Sequence, residues 1–188
     1  SLLGRYINQH PDACFGGELY HFNNLKNLSA WKKFLATHIP RMYLRRKVNS
    51  CEESCFGFSF LFYQFVLART SVEKMNEWGW KIIHLKRDNI LDQVLSNQVA
   101  HLRKKWHASS DDAAQEESQS GLFEVDKEDA LNRLIYISNA NKEQQNSMNA
   151  IPHFSVHYEN DLKEQSQHQQ TMNNVFDFLE LDRIRLDT

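Results

Sequence analysis

Residues 79–106, GWKIIHLKRDNILDQVLSNQVAHLRKKW, carry a guanidinium, Arg87, and a hydroxyl, Ser96, nine positions apart. A guanidinium grips phosphate oxygens with a planar fork of donors, and a serine hydroxyl adds a neutral donor that fixes orientation. Arg87 stands where an apolar run, residues 80–85, hands over to a segment with apolar residues at helical spacing. Asn89 is placed to cap that helix, and Asp92 falls in its first turn, at the positive end of the helix dipole. Ile90, Leu91, Val94, Leu95, Val99, Leu102 and Trp106 form its buried stripe, which leaves Ser96 on the flank, on a face shared with Arg103. An anion lying beside this helix would meet both. The chemistry implied is a grip on a nucleotide phosphate.

The other reactive side chains point to less. Cys14, Cys51 and Cys55 form no disulfide framework in a chain of this length, and Cys51-x-x-x-Cys55 lacks a second ligand pair, so reduced structural cysteines and no metal site are expected. His153 and His157 lie in HFSVHY, which alternates like a strand. A four-residue offset there separates side chains by roughly 13 Å, too far for one ion to bridge. No Gly-x-x-x-x-Gly-Lys-Ser/Thr loop is present, which counts against a nucleotide kinase.

Positioning these groups requires a scaffold. LLGRYINQ, residues 2–9, reads as a short helix ended by His-Pro-Asp, because Pro11 pushes its predecessor away from helical angles. ACFGGELY reads as a buried strand opening into a Gly-Gly turn, and residues 29–37 as a helix with Ser29 as cap. RMYLRRKVN, residues 41–49, is expected to be a solvated basic surface rather than a nucleic-acid face. CFGFSFLFYQFV, residues 55–66, favours a core strand whose far end can begin a helix, and SVEKMNEW a helix starting from Ser71 with Glu73 and Glu77 on its polar side. WKIIHL is expected to be a strand covered on both faces. Residues 108–120, ASSDDAAQEESQS, read as a mobile loop, a passive surface excursion rather than a lid, and residues 127–141 as a helix with Ala130, Leu131, Leu134, Ile135 and Ile137 at helical spacing. HFSVHY adds a strand and TMNNVFDFLEL a last helix. Strands alternating with helices argue for α/β architecture around a parallel sheet, and in such sheets ligands collect at the carboxyl ends of the strands.

At 188 residues the chain suits one domain with a substantial core. Twenty-two basic residues against 24 acidic ones, a net charge of -2, give no global field for nucleic acid or anionic membrane. No apolar run approaches the roughly 20 residues that span a bilayer, so a soluble, cytoplasmic protein is expected.

HLKRDNILDQVLSNQVAHLRKKW resembles the 3′-phosphate-binding segment of sulfotransferases that use 3′-phosphoadenylyl sulfate, particularly the bacterial carbohydrate type acting on trehalose or Nod factors. SLLGRYINQHPDACFGGELYHF is similar to that family's first helix, strand and Gly-Glu-Leu turn, and VHYENDLKE followed by VFDFLEL to its Tyr-Glu-Asp-Leu segment and closing helix. The matches cover about half the chain, and their order carries more weight than any one of them. YENDL is one residue longer than the family pattern, and FGFSF lacks a lysine often found after the glycine.

The resemblance implies a three-layer, P-loop-like fold with a central, mostly parallel sheet, and sulfuryl transfer from 3′-phosphoadenylyl sulfate to a carbohydrate, glycolipid or small-metabolite hydroxyl. It gives Arg87 and Ser96 the 3′-phosphate, with Tyr158 and Arg103 as further nucleotide contacts. Ser1 falls at the last position of the family's phosphosulfate loop, and Glu18 is implied as general base, with His21 behind it. The alternatives are a catalytically silent nucleotide-binding or scaffolding domain of the same fold, and another phosphate-handling α/β enzyme.

Overall fold

The computed structural model describes residues 2–103 and 125–187. The expected 108–120 loop, Trp106 and Ser1 lie outside the described residues. The chain divides into two compact units, one running to Lys86 and resuming at Gln144, the other spanning Arg87–Glu143.

In the first unit, strand β1 (Ala13–Glu18) runs parallel to β2 (Cys55–Ser59), with Ala13 opposite Cys55, Cys14 opposite Phe56 and Phe15 opposite Gly57. Parallel neighbours need a crossover. Three helices supply it: α2 (Phe22–Lys26), α3 (Ala30–His38) and α4 (Pro40–Asn49). Side chains alternate across this pair. Ala13, Phe15 and Cys55 pack into one core with Leu3, Tyr6, Val156 and Phe176. Phe56 and Phe58 pack into a second core with Tyr20, Leu35, Leu44 and Met75. Helix α1 (Leu2–Ile7) lies so close to β1 that a Cβ on Gly4 would run into the Phe15 ring.

After β2 come α5 (Gln64–Leu67) and α6 (Val72–Glu77), and the Ser71 hydroxyl caps α6 by accepting from the Lys74 N–H at 3.4 Å. Strand β3 (Ile83–Lys86) then pairs in parallel with β4 (Phe154–His157), Lys86 opposite His157. A π-helical turn, Tyr158–Leu162, follows β4 and leads into α9 (Gln165–Leu179). Buried polar groups close this region: Tyr6 Oη meets His168 Nδ1 at 2.7 Å, and His168 Nε2 meets the Leu162 carbonyl at 2.9 Å.

The second unit contains α7 (Ile90–Arg103) and most of α8 (Lys127–Asn149). Gln98 on α7 donates to the Asp126 carbonyl at 3.1 Å and to Asp129 Oδ2 at 3.0 Å, and Arg133 meets the same oxygen at 2.7 Å.

The architecture is α/β with short parallel strands, but among the described residues the strands form two separate two-stranded sheets rather than one central sheet. Other expectations change in informative ways. Residues 41–49 present the expected solvated basic surface, and they do so as a helix: Pro40, Tyr43 and Leu44 are buried at helical spacing while Arg45 and Arg46 stay outside. Proline at the first helical position costs nothing there, because its missing N–H has no partner to lose. The 55–66 run leaves the sheet at Ser59, and Gln64 is fully buried with its Oε1 accepting from the Leu61 N–H at 3.0 Å. Strand β3 is not covered on both faces, since His84 is buried but Leu85 is 43 % exposed. Helix α8 runs eight residues past the expected end at Asn141, and Leu131 and Ile135 on it are exposed although Ala130 is buried.

Candidate functional site

Strand β1 ends in a bulge: the register slips between Phe15 and Glu18, and Gly17 takes a left-handed backbone at φ 67°. Glycine reaches that region without a Cβ penalty, so the Gly-Gly pair re-aims the strand's last residue. That residue is Glu18, half-buried, opposite Ser59 at the carboxyl end of β2. Its carbonyl accepts from Asn24 Nδ2 at 2.6 Å and from the His21 N–H at 3.2 Å, which fixes the backbone beneath the carboxylate. His21 is the N-cap of α2, its Nδ1 accepting from the Asn23 N–H at 3.3 Å. An imidazole whose Nδ1 accepts carries its proton on Nε2 when neutral, so the lone pair a base would use is already engaged.

Arg87 is the first residue beyond β3 and is half-buried. Two residues on, Asn89 Oδ1 accepts from the Asp92 N–H at 3.1 Å, while Asn89 Nδ2 donates to Asp92 Oδ2 at 2.7 Å. This reciprocal cap satisfies one of the unbonded N–H groups of the first turn of α7 and sets the helix start immediately after the guanidinium. Ser96 is exposed on α7. Arg103 belongs to the last turn of α7 through its backbone, and its side chain lies outside the described residues. Tyr158 is half-buried at the head of the π-turn, packed against the first core. The turn is held by Asp161, whose Oδ2 accepts from the His157 N–H at 2.6 Å and whose carbonyl accepts from Thr171 Oγ1 at 2.9 Å.

A shallow cleft of about 460 Å³ in the second unit is lined by Ile90, Leu134, Ile135, Ser138 and Asn139. It is mainly apolar, and neither Arg87 nor Ser96 lines it.

Two groupings were not visible in the sequence. Cys51 sits beside Cys14, not in a pair with Cys55: one ligand atom each of Cys14, Cys51 and Glu53 lie within 4.8 Å of one another. Cys51 Sγ donates to Glu53 Oε2 at 3.1 Å; partial burial, then this bond, push the thiol up to about 11, and the same bond holds the Glu53 carboxyl below its ordinary value. Cys55 packs with the first core instead. The second grouping is around His84, whose ring meets that of His153 at 5.9 Å.

Loss of hydration pulls His84 down to about 4; the charges of Lys86, His153 and His157 add to this and Gln144 opposes it. Its Nδ1 is buried and meets no hydrogen-bond partner among the described residues. The unfolded chain takes up this proton near pH 6.5 and the folded chain only near 4, so between those values the unfolded state binds more protons. Stability contributed by neutral His84 is therefore full above pH 6.5 and falls on acidification, by on the order of 2 kcal/mol at pH 4. Urea midpoints measured from pH 7 to pH 4 will show the loss, and His84→Gln will flatten that limb of the profile.

No family model matches the chain, and no curated protein or solved structure matches it.

Proposed function

We propose that the protein is a sulfotransferase that moves a sulfuryl group from 3′-phosphoadenylyl sulfate to a hydroxyl of a carbohydrate, glycolipid or small metabolite. The observation that carries the reading is the passage from β3 to α7: a strand ending at Lys86, a guanidinium next, and a helix whose start is closed by the Asn89–Asp92 cap. Helix N-termini favour phosphate through unbonded N–H groups and the dipole, and an adjacent arginine adds a charged fork. Ser96, exposed less than two turns into α7, is the neutral donor of the same grip.

Two further features agree with the resemblance. Lys86 and His157 pair at the carboxyl ends of parallel strands, the edge where α/β sheets take ligands, and Tyr158 follows His157 directly. The extra residue of YENDL is taken up by a π-turn, the backbone form that absorbs a one-residue insertion. The proposal includes a P-loop-like, three-layer arrangement in which the two strand pairs make up the central layer, with Ser1 and Arg103 as further donors to the nucleotide.

Sulfuryl transfer resembles phosphoryl transfer in needing in-line geometry and charge stabilisation rather than covalent work by the protein. The acceptor oxygen forms its bond to sulfur as the bond to the donor's phosphate oxygen breaks, releasing 3′-phosphoadenosine 5′-phosphate. The acceptor's proton goes to the Glu18 carboxylate; His21 serves as the secondary candidate only if its Nδ1 gives up the Asn23 N–H that it caps. Glu18→Gln will therefore keep nucleotide binding and lose turnover by about 10² to 10⁴-fold, as a radiolabelled sulfate-transfer assay will show.

Thermal unfolding with 3′-phosphoadenosine 5′-phosphate, with ATP and with buffer alone separates the readings. Selective stabilisation by the first, about 2.7 kcal/mol at a hundred times Kd, supports sulfotransfer. Selective stabilisation by ATP, or by neither nucleotide, removes it.

A further inference from the structure

We propose that Cys14, Cys51 and Glu53 form a Zn2+ site that clips the turn after α4 to strand β1. Their ligand atoms, two sulfurs and a carboxylate oxygen, lie within 4.8 Å of one another. Around tetrahedral zinc, with metal–sulfur and metal–oxygen bonds of about 2.3 and 2.0 Å, such atoms stand about 3.5 to 3.8 Å apart. Closing that gap takes about 1 Å, within the reach of side-chain rotation at Cys51 and Glu53.

The backbone beneath the cluster is already fixed. Cys14 is held in the sheet opposite Phe56, and Cys51 follows the end of α4, its N–H bonded to the Val48 carbonyl at 3.0 Å. The turn from Cys51 to Cys55 is tied to β1 through the Asp12 carbonyl, which accepts from the Cys55 N–H at 2.9 Å and from Ser54 Oγ at 3.3 Å. Elements distant in sequence therefore present their ligands together without the metal, and the ordering cost of binding is small.

Charge and ligand type select the ion. The Cys51 thiol proton lies between its sulfur and Glu53 Oε2, the place a cation would take. Binding releases both thiol protons to solvent, leaving two thiolates and a carboxylate around the ion, one negative charge in all. The carboxyl end of α4 adds its partial negative charge. Two thiolates favour a borderline-soft metal over Mg2+ or Ca2+, which take oxygen ligands. Glu53 is exposed, which provides the entry path and leaves a fourth position for water. Cys55 belongs to the opposite face of the strand pair and supplies no ligand.

The proposal is independent of the nucleotide reading and is tested with the reduced, chelator-treated full chain titrated with Co2+. One equivalent will produce thiolate-to-cobalt charge-transfer absorption in the near ultraviolet with tetrahedral bands in the visible, and Zn2+ will displace it. Cys51→Ser, in the partly exposed turn, and Cys14→Ser will each lose the charge-transfer signal by half or more. Cys55→Ser will retain it, and Glu53→Gln will weaken binding at least tenfold. No band in the wild type, an unchanged band in Cys51→Ser, or loss confined to Cys55→Ser overturns the site. So does a Cys14–Cys51 disulfide in the purified protein that, once reduced, takes up no cobalt.

Discussion

Arg87→Ala will lower affinity for 3′-phosphoadenosine 5′-phosphate at least a hundredfold in a calorimetric titration, with the circular dichroism spectrum unchanged. The guanidinium sits at the first position beyond β3, two residues before the cap of α7. Each charge-assisted hydrogen bond it makes to a phosphate oxygen contributes about 1.5 to 3 kcal/mol, and two parallel ones account for the loss. Arg87→Lys will recover only part of it, because an ammonium keeps the charge but not the planar fork. Ser96→Ala, which removes one neutral donor from an exposed position, will cost about tenfold. Binding that survives Arg87→Ala unchanged removes the phosphate grip.

A large effect on stability is expected at Phe176. It is fully buried on α9, its ring 5.1 Å from that of His10, in the core where α1, β1, β4 and the residues around Leu186 meet. Phe176→Ala removes about 3 to 5 kcal/mol through lost transfer energy and the cavity left behind. Domains have only about 5 to 15 kcal/mol in total, so the urea midpoint will drop sharply, and the variant will be partly unfolded at 37 °C if the total is near the lower end. Tyr136→Ala, at a side chain 67 % exposed on α8, will change the midpoint by less than about 0.5 kcal/mol equivalent and serves as the control.

How much of this was legible in the residues depends on how local the cause is. The start of α7 was readable because an Asn-x-x-Asp cap is encoded within one turn, whereas its expected buried stripe holds only in part: Val94 is buried but Leu91 is half exposed. The Ser71 cap of α6 was readable for the same reason. Helix α4 was missed because four cations and an asparagine outnumber its narrow buried stripe, so the composition reads as surface while the spacing of Pro40, Tyr43 and Leu44 does not. The exposure of Leu85 was missed because a continuous apolar run says nothing about which face finds a cover.

The candidate site divides in the same way. The bend at Glu18 follows from the Gly-Gly pair that precedes it, whereas nothing local in the residues announced the π-turn at Tyr158. The meeting of Cys14 with Cys51 is set by the register that puts Ala13 opposite Cys55, a relation between segments 42 residues apart that neither segment specifies alone. The burial of His84 likewise depends on β4 and on His153 arriving from the far end of the chain.

The claim on which the functional account rests is that a phosphate docks where β3 gives way to α7. Backbone amide resonances followed by nuclear magnetic resonance during titration with 3′-phosphoadenosine 5′-phosphate test it directly. Saturable shifts centred on residues 87–92 and Ser96, absent with adenosine, are the predicted result. Saturable binding that leaves those amides unmoved, or no binding at millimolar nucleotide, contradicts it.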